Sequence, residues 1–278
     1  MLIRVGSRGS RLALTQAELA VERLRGPGVE LALVPITTAG DRDRTQPFDR
    51  IGERGVFVKE LEEALLAGRI DVAVHSAKDM TSTDVDGLSV GAYPAQEDPR
   101  DALCGTSELR PGMRVGTASV RRRAQLLALE PTLSIEPLRG NIDTRLRKRG
   151  ERGLDAVVLA ACGLDRLGLA REIGHRFEPD DVLPEAGQGA LALQVRLGEE
   201  ELVAAADDAD TRRRVEAERA CVAAVGGGCL APVAAYHDGA RLTGLVADED
   251  GRWVERLTGD DPHELGRELA DAHRRHTS

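Results

Sequence analysis

Through residue 196 the chain alternates short β-prone runs with helical stretches, and glycine or proline closes each helix. Leu2–Val5 reads as a strand, and Arg11–Arg25 as a helix stopped by Gly26-Pro27. Val29–Thr37 returns as a strand. Val56–Ala67 is amphipathic, with Phe57, Leu61, Ala64 and Leu65 on one face and Gly68 at its end. Asp71–Val74 and Leu88–Tyr93 are short apolar runs. Strands that alternate with helices in this way imply an α/β domain, its helices covering both faces of the sheet.

The polar, proline-bearing Glu97-Asp98-Pro99-Arg100 marks a crossing to a second domain. A second series follows: strand Met113–Gly116, helix Arg121–Glu130, strand Leu133–Leu138, helix Asp143–Arg149 and strand Asp155–Ala161. Ala190–Arg196 is a further strand, suited to rejoin the first domain. The tail changes style to α+β. Helix Arg212–Val225 precedes glycines 226–228, then come strand-like runs near Pro232–Tyr236, Leu242–Ala247 and Trp253–Thr258, and a last helix from His263. No internal repeat stands out. At 278 residues the chain exceeds one common domain of roughly 100–200. The expected division is 1–95 with 189–208, then 98–186, then 210–278.

Aromatics are 2% of residues, so the cores must rest on Leu, Val, Ala and Ile. The four cysteines are scattered, with no CxxC pair, which argues against a disulfide scaffold or a zinc site. No apolar stretch reaches the ~18 residues of a membrane span. Arg4, Arg8 and Arg11 interrupt any signal-peptide core, and a cytoplasmic location is expected. The net charge of −9 works against non-specific nucleic-acid binding. Lysine occurs only at 59, 78 and 148; every other basic side chain is arginine. GC-rich codon usage or an acidic, halophile-like surface would each account for that, and arginine also suits bidentate carboxylate recognition.

Cations gather between residues 114 and 149, nine against three acids. Arg147–Arg149 fit a solvated face. Arg121 and Arg122 instead open a helix just after the strand-and-turn Val115–Ser119, where free N–H groups and the Thr117 and Ser119 hydroxyls make an anion site. Arg139 follows another strand, and Arg8-Gly9-Ser10 a third. In open α/β sheets ligands lie beyond the carboxyl ends of strands, so three such positions point to a polyanionic ligand. His75-Ser76-Ala77-Lys78-Asp79 also follows a strand. It reads either as a surface ion pair or as a fixed carboxylate, Asp79, facing the ligand beside Lys78. Cys104, Cys162 and Cys221 lie in apolar contexts that suit buried thiols. Cys229, in Gly226-Gly227-Gly228-Cys229-Leu230-Ala231-Pro232, is the cysteine whose setting suits covalent chemistry.

The segments GSRGSRLALTQA (6–17), TTAGD (37–41), GVFVKELEEALL (55–66), DVAVHSAKDM (71–80), EDPRDA (97–102), VGTASVRR (115–122), LRGNIDTRL (138–146), DAVVLAACGLDRLGL (155–169), LPEAGQGA (183–190) and GGGCLAP (226–232) resemble, in order, those of the porphobilinogen deaminase family. The resemblance implies two α/β lobes similar to those of periplasmic binding proteins, an active site between them, and a small α+β C-terminal domain presenting a cofactor cysteine. It implies a dipyrromethane cofactor, assembled from substrate and thioether-linked to Cys229. Four porphobilinogens are then added with loss of ammonia, and hydroxymethylbilane is released by hydrolysis. Asp79 falls on the family's catalytic aspartate. Lys78, Thr117, Ser119, Arg121, Arg122 and Arg145 fall on cofactor-holding positions. Arg8, Ser10, Arg139 and Arg166 fall on positions for substrate or chain carboxylates, to which Arg145 also belongs. Gln188 joins the substrate-binding set, in a segment resembling an interdomain hinge. No metal is implied, and a monomer is expected.

The chemistry accounts for these residue types. Each pyrrole carries acetate and propionate, so a growing chain accumulates carboxylates that arginine forks neutralise. Loss of ammonia leaves an electrophilic azafulvene with positive charge on its ring nitrogen. A carboxylate about 4 Å away stabilises that charge by about 4 kcal/mol at an effective dielectric near 20. The sequence departs from the family pattern at Glu53-Arg54-Gly55, where a Gly-Lys-Gly loop lysine is usual, at Met80-Thr81-Ser82, which lacks a proline, and at Ala118, which replaces a frequent serine. A solute-binding module for an organic anion would explain the lobes and arginines but has no need of Cys229. A nucleic-acid-binding role for 114–149 is opposed by the acidic charge and scarce aromatics.

Overall fold

A computed structural model describes residues 1–38, 58–80, 85–226 and 232–277. It divides into two compact units, 1–97 with 190–213, and 98–189 with 214–278.

The first unit is built on β1 (Leu2–Arg8), β2 (Glu30–Ile36), β3 (Val72–Ser76), β4 (Leu88–Ala92) and β10 (Leu191–Arg196), in the order β2-β1-β3-β10-β4. β1 runs parallel to β2 and β3, whereas β10 is antiparallel to β3 and β4. The returning strand expected at Ala190–Arg196 thus enters the middle of this sheet. Alternation along β3 sends Val72 and Val74 to one face and Ala73 to the other. The first pair packs with Ile3, Val5, Leu193 and Val195 against Ala17, Ala20 and Val21 of α1 (Arg11–Val21). Ala73 packs with Ile70 against Leu61, Ala64 and Leu65 of α2 (Lys59–Leu66). The helix expected to run to Arg25 ends at Val21 and closes with a 3₁₀ turn, Glu22–Leu24. Phe57 lies outside the described residues.

The second unit repeats this wiring. It holds β5 (Asp101–Cys104), β6 (Arg114–Gly116), β7 (Ser134–Glu136), β8 (Ala156–Ala160) and β9 (Ile173–Arg176), ordered β7-β6-β8-β5-β9. β6 is parallel to β7 and β8, and β5 is antiparallel to β8 and β9. Helices α3 (Val120–Leu129), α4 (Ile142–Glu151) and α5 (Ala161–Arg166) accompany this sheet. β5 and β9 were not among the expected strands. β5 starts directly after the polar segment read as a crossing, which is tied down by Asp98 between Arg100 (3.0 Å) and Arg176 (2.7 Å).

The same unit carries the antiparallel sheet β11 (Val233–His237), β12 (Leu242–Ala247) and β13 (Val254–Gly259). Cys221 of α6 (Ala209–Val225) and Leu265, Leu269 and Ala272 of α7 (Pro262–Thr277) pack against it. Ala124 and Leu183 meet Ala234, Leu245 and Ala247 in a shared cluster. The architecture is therefore α/β with a small terminal sheet-plus-helix element. No helix among the described residues is long and apolar enough to cross a membrane.

Leu193 is wholly buried at the centre of the first sheet, on the strand that returns from the far part of the chain. Leu193→Ala should cost about 2–5 kcal/mol in urea unfolding. A loss below about 1 kcal/mol would show that β10 is not integral to that core.

Candidate active site

Parallel strands put their carboxyl ends on one edge of a sheet, and both sheets load that edge with polar side chains. In the first unit β1 ends at Arg8, which is half-buried, and Ser10 caps α1 by accepting from the Ala13 N–H at 3.2 Å. β3 ends at Ser76 and passes into the 3₁₀ turn Ala77–Asp79, so half-buried Lys78 and Asp79 lie on the same edge as Arg8. The Ala77 N–H donates to the Ala190 carbonyl at 3.1 Å, which ties that turn to the start of β10.

In the second unit the edge is organised around Asp101. This residue opens β5, pairs in register with Ala160 at the carboxyl end of β8, and is fully buried. A charged residue in that position requires partners. Arg121 donates from Nη1 to Asp101 Oδ2 at 2.7 Å and to the Leu183 carbonyl at 2.7 Å. Arg122 donates to Asp101 Oδ1 from Nε (3.0 Å) and Nη2 (2.7 Å), and to the Val158 carbonyl from Nη1 (3.1 Å). Gln188 Nε2 adds a bond to Oδ1 at 2.8 Å and one to the Pro99 carbonyl at 2.6 Å. Burial alone would raise the Asp101 carboxyl, but the two guanidinium groups outweigh it and hold it well below the usual carboxylate range. Asp101 escaped the sequence reading. The available signal was an acid opening the otherwise apolar Asp-Ala-Leu-Cys run.

Ser119 is the N-cap of α3, accepting from the Arg122 N–H at 3.4 Å, and buried Thr117 accepts from the Ser119 N–H at 3.2 Å. Both hydroxyls thus shape the turn that presents Arg121 and Arg122. Half-buried Arg139 lies between β7 and α4, and Arg145 Nε donates to the Gly140 carbonyl at 2.7 Å. Arg166, at the end of α5, donates to the Gly189 carbonyl at 2.6 Å. Gln188 is fully buried, and the bonds above turn its amide toward the chain's own groups. Its neighbours Gly187 and Gly189 have φ of 74° and 88°, a left-handed backbone that needs glycine.

Arg121 has a further property. Its Nε and Nη2 are buried with no hydrogen-bond partner among the described residues. Two cations facing one fully buried carboxylate, with two donors left over, give Arg121 unused hydrogen-bonding capacity of the kind an acidic group satisfies.

The cysteines separate as expected from their contexts. Cys104, Cys162 and Cys221 are buried and free of disulfides. Burial pushes the thiols of Cys104 and Cys221 up to about 11 and about 12, so they stay protonated at neutral pH. Cys229 lies outside the described residues, as do Glu53-Arg54-Gly55, Thr81 and Ser82.

An α/β edge of this kind defines a class of anion-handling sites, and comparison with known proteins narrows it. The family model described as porphobilinogen deaminase, dipyromethane cofactor binding domain, matches residues 3–204, and that of the porphobilinogen deaminase C-terminal domain matches 212–274. The porphobilinogen deaminase of Bacillus subtilis (strain 168) is 44% identical, covering 96% of this chain and 91% of that protein. That of Syntrophotalea carbinolica is 48% identical over 90% of this chain and 84% of that protein. The solved methionine binding protein MetQ is 15% identical with a TM-score of 0.45 over 76% of this chain and 92% of that one. The sheets described above, and not this distant likeness, establish the α/β architecture. The chain belongs to the porphobilinogen deaminase family, and carries its dipyrromethane cofactor-binding domain.

The residues present fit that cofactor. Its acetate and propionate groups would offer the kind of acceptor that Arg121 Nε and Nη2 lack among the described residues. Asp101→Asn leaves two buried guanidinium groups short of their counter-charge and should lower stability by about 3–5 kcal/mol in urea titration. Arg147→Ala, at an exposed i,i+4 pair with Glu151, should change it by no more than about 0.5 kcal/mol. Because the Asp101 carboxyl titrates below its ordinary 3.8, its contribution is complete above that value and is lost as pH falls through the folded value. Equal stabilities for the two variants would contradict this arrangement.

Proposed function

We propose that Cys229 carries a dipyrromethane by a thioether, and that Asp79 supplies the catalytic charge in the stepwise condensation of four porphobilinogens to hydroxymethylbilane with release of ammonia. The chain is an enzyme of the transferase class, supported by both family matches and by relatives that bear the porphobilinogen deaminase name. The observation that carries the residue-level reading is the buried Arg121, with two donors unpaired on a sheet edge.

When bound, the dipyrromethane supplies the pyrrole end onto which new units are added. Arg121 donates to its carboxylates, and Arg122 and Ser119 keep Arg121 in place through Asp101 and the cap of α3. Lys78 and Arg145 complete the cofactor-holding set. Arg8, Ser10, Arg139 and Arg166 serve the carboxylates of substrate and growing chain, and Gln188 supports them from its glycine-flanked turn. Asp79, held in the turn after β3, offers its carboxylate to the positive charge that develops on the pyrrole nitrogen as ammonia leaves, and accepts or returns a proton there. The reading also makes the enzyme a cytoplasmic monomer. The free thiols of Cys104, Cys162 and Cys221 accord with a reducing compartment.

Asp79→Asn keeps the side chain's shape and removes its charge. Supplied with preassembled cofactor, it should stay folded and elongate about 10²–10³-fold more slowly, equivalent to ~3–4 kcal/mol of transition-state stabilisation. Mass spectra after mixing with porphobilinogen should show species with one or two added rings persisting. Wild-type rates in this variant would remove Asp79 from the chemistry, and loss of folding would support a plain structural ion pair.

A further inference from the structure

Glu218 is a buried acid to which the reading above gives no task. It stands on α6 in the stripe Thr211, Val215, Glu218 and Cys221, every member of which is buried. Its Oε2 accepts from the Gly187 N–H at 2.7 Å and its Oε1 from the His237 N–H at 2.9 Å. One carboxylate therefore joins α6, the 183–189 segment and the end of β11. Gly187 adjoins Gln188, whose Nε2 bonds Asp101, and Asp101 holds Arg121 and Arg122. The same segment is anchored at its other end by Gln125, which accepts from the Leu183 N–H at 2.7 Å.

We propose that Glu218 is a positioning residue for cofactor loading: by holding Gly187 and His237 it keeps Gln188, and through it Asp101 and the two arginines, in the arrangement that receives the dipyrromethane. This rests on the reading that those arginines hold the cofactor. The bonding demands a carboxylate. Two backbone N–H groups need two acceptor oxygens, and an amide offers one acceptor and an NH₂ that confronts the second N–H.

Titration separates this role from a merely structural one. Burial pushes the Glu218 carboxyl up to about 7, against the pull of the Gly187 and His237 N–H groups and of Arg214 on the same helix. Tyr236 on β11 also faces it, its own hydroxyl raised by burial and by Glu218. Below about 7 the protonated acid converts one acceptor into a donor and releases one N–H. Loading should then fade as pH falls. Global stability runs the other way. A carboxyl raised above its ordinary 4.5 stabilises most below that value and loses the contribution as pH rises through about 7.

The test follows loading of the full-length, cofactor-freed protein by porphobilinogen, read as the rate at which the intact mass gains two pyrrole units, between about pH 6 and pH 8. The wild type should show a step near pH 7 with no fall in thermal stability on the acid side. Glu218→Gln should load about tenfold or more slowly at the alkaline end and lack the step. Loading of Glu218→Gln at the wild-type rate, or a wild-type profile without the step, would overturn the proposal. If that variant does not fold, the wild-type Gly187 and His237 amide resonances decide: they must titrate near pH 7 together with the loading rate, and flat resonances overturn the proposal. Arg121→Leu is the control for the underlying reading. If it loads at the wild-type rate the arginine assignment falls and takes the inference with it, whereas normal loading by Glu218→Gln alone sinks only the inference.

Discussion

A carboxylate with no exposure to water, set between two guanidinium groups, is the constraint on which the second unit depends. Taking Asp101 out of water costs several kcal/mol, and only close, hydrogen-bonded counter-charges offset such a cost. Arg121 and Arg122 provide them at 2.7 Å, and Gln188 adds a neutral donor at 2.8 Å. The cluster is not balanced. Two cations meet one fully buried anion, with half-buried Glu185 a further acid near Arg122, and among the described residues Arg121 keeps two buried donors without partners. A site that holds excess positive charge away from water favours an acidic ligand, and the dipyrromethane of this family brings several carboxylates.

The same constraint explains why the edge is assembled from residues far apart in sequence. β5 runs antiparallel to β8, so its first residue lies beside the carboxyl end of β8 and faces the start of α3. The first unit uses β10 as the second uses β5, an antiparallel strand inserted beside three parallel ones. In both, the strand ends collect polar and charged side chains and the faces of the sheet are covered by small aliphatic cores. Scarcity of aromatics is no obstacle, because Leu, Val, Ala and Ile fill layers of this thickness.

Much of this was legible in the sequence. Glycine and proline punctuation gave the alternation of elements, and Ala190–Arg196 read correctly as a strand that returns to the first sheet. The apolar contexts of Cys104, Cys162 and Cys221 correctly implied buried thiols. Arg121 and Arg122 read as opening a helix, and it starts one residue earlier, at Val120, with the Ser119 hydroxyl spent on its cap. The duplicated strand order was hidden because topology repeats without any repeat of residues. β5 was hidden because Asp98, Pro99 and Arg100 make its approach look like a linker, although ion pairs hold it. The partners of Arg122 were hidden for a deeper reason. A basic residue at a strand end can face a ligand or a buried acid, and only the register of β5 against β8 decides which. Glu218 carried a readable signal, since it falls at helical spacing on the stripe with Val215 and Cys221.

The central claim is that this chain holds a covalent, polyacidic pyrrole group near a buried, cation-rich edge. The intact mass of the wild-type protein as purified tests it most directly. The account predicts the mass of the polypeptide plus two pyrrole units, resistant to denaturation and gel filtration. The mass of the bare 278-residue polypeptide, in protein that nevertheless turns over porphobilinogen, would contradict it.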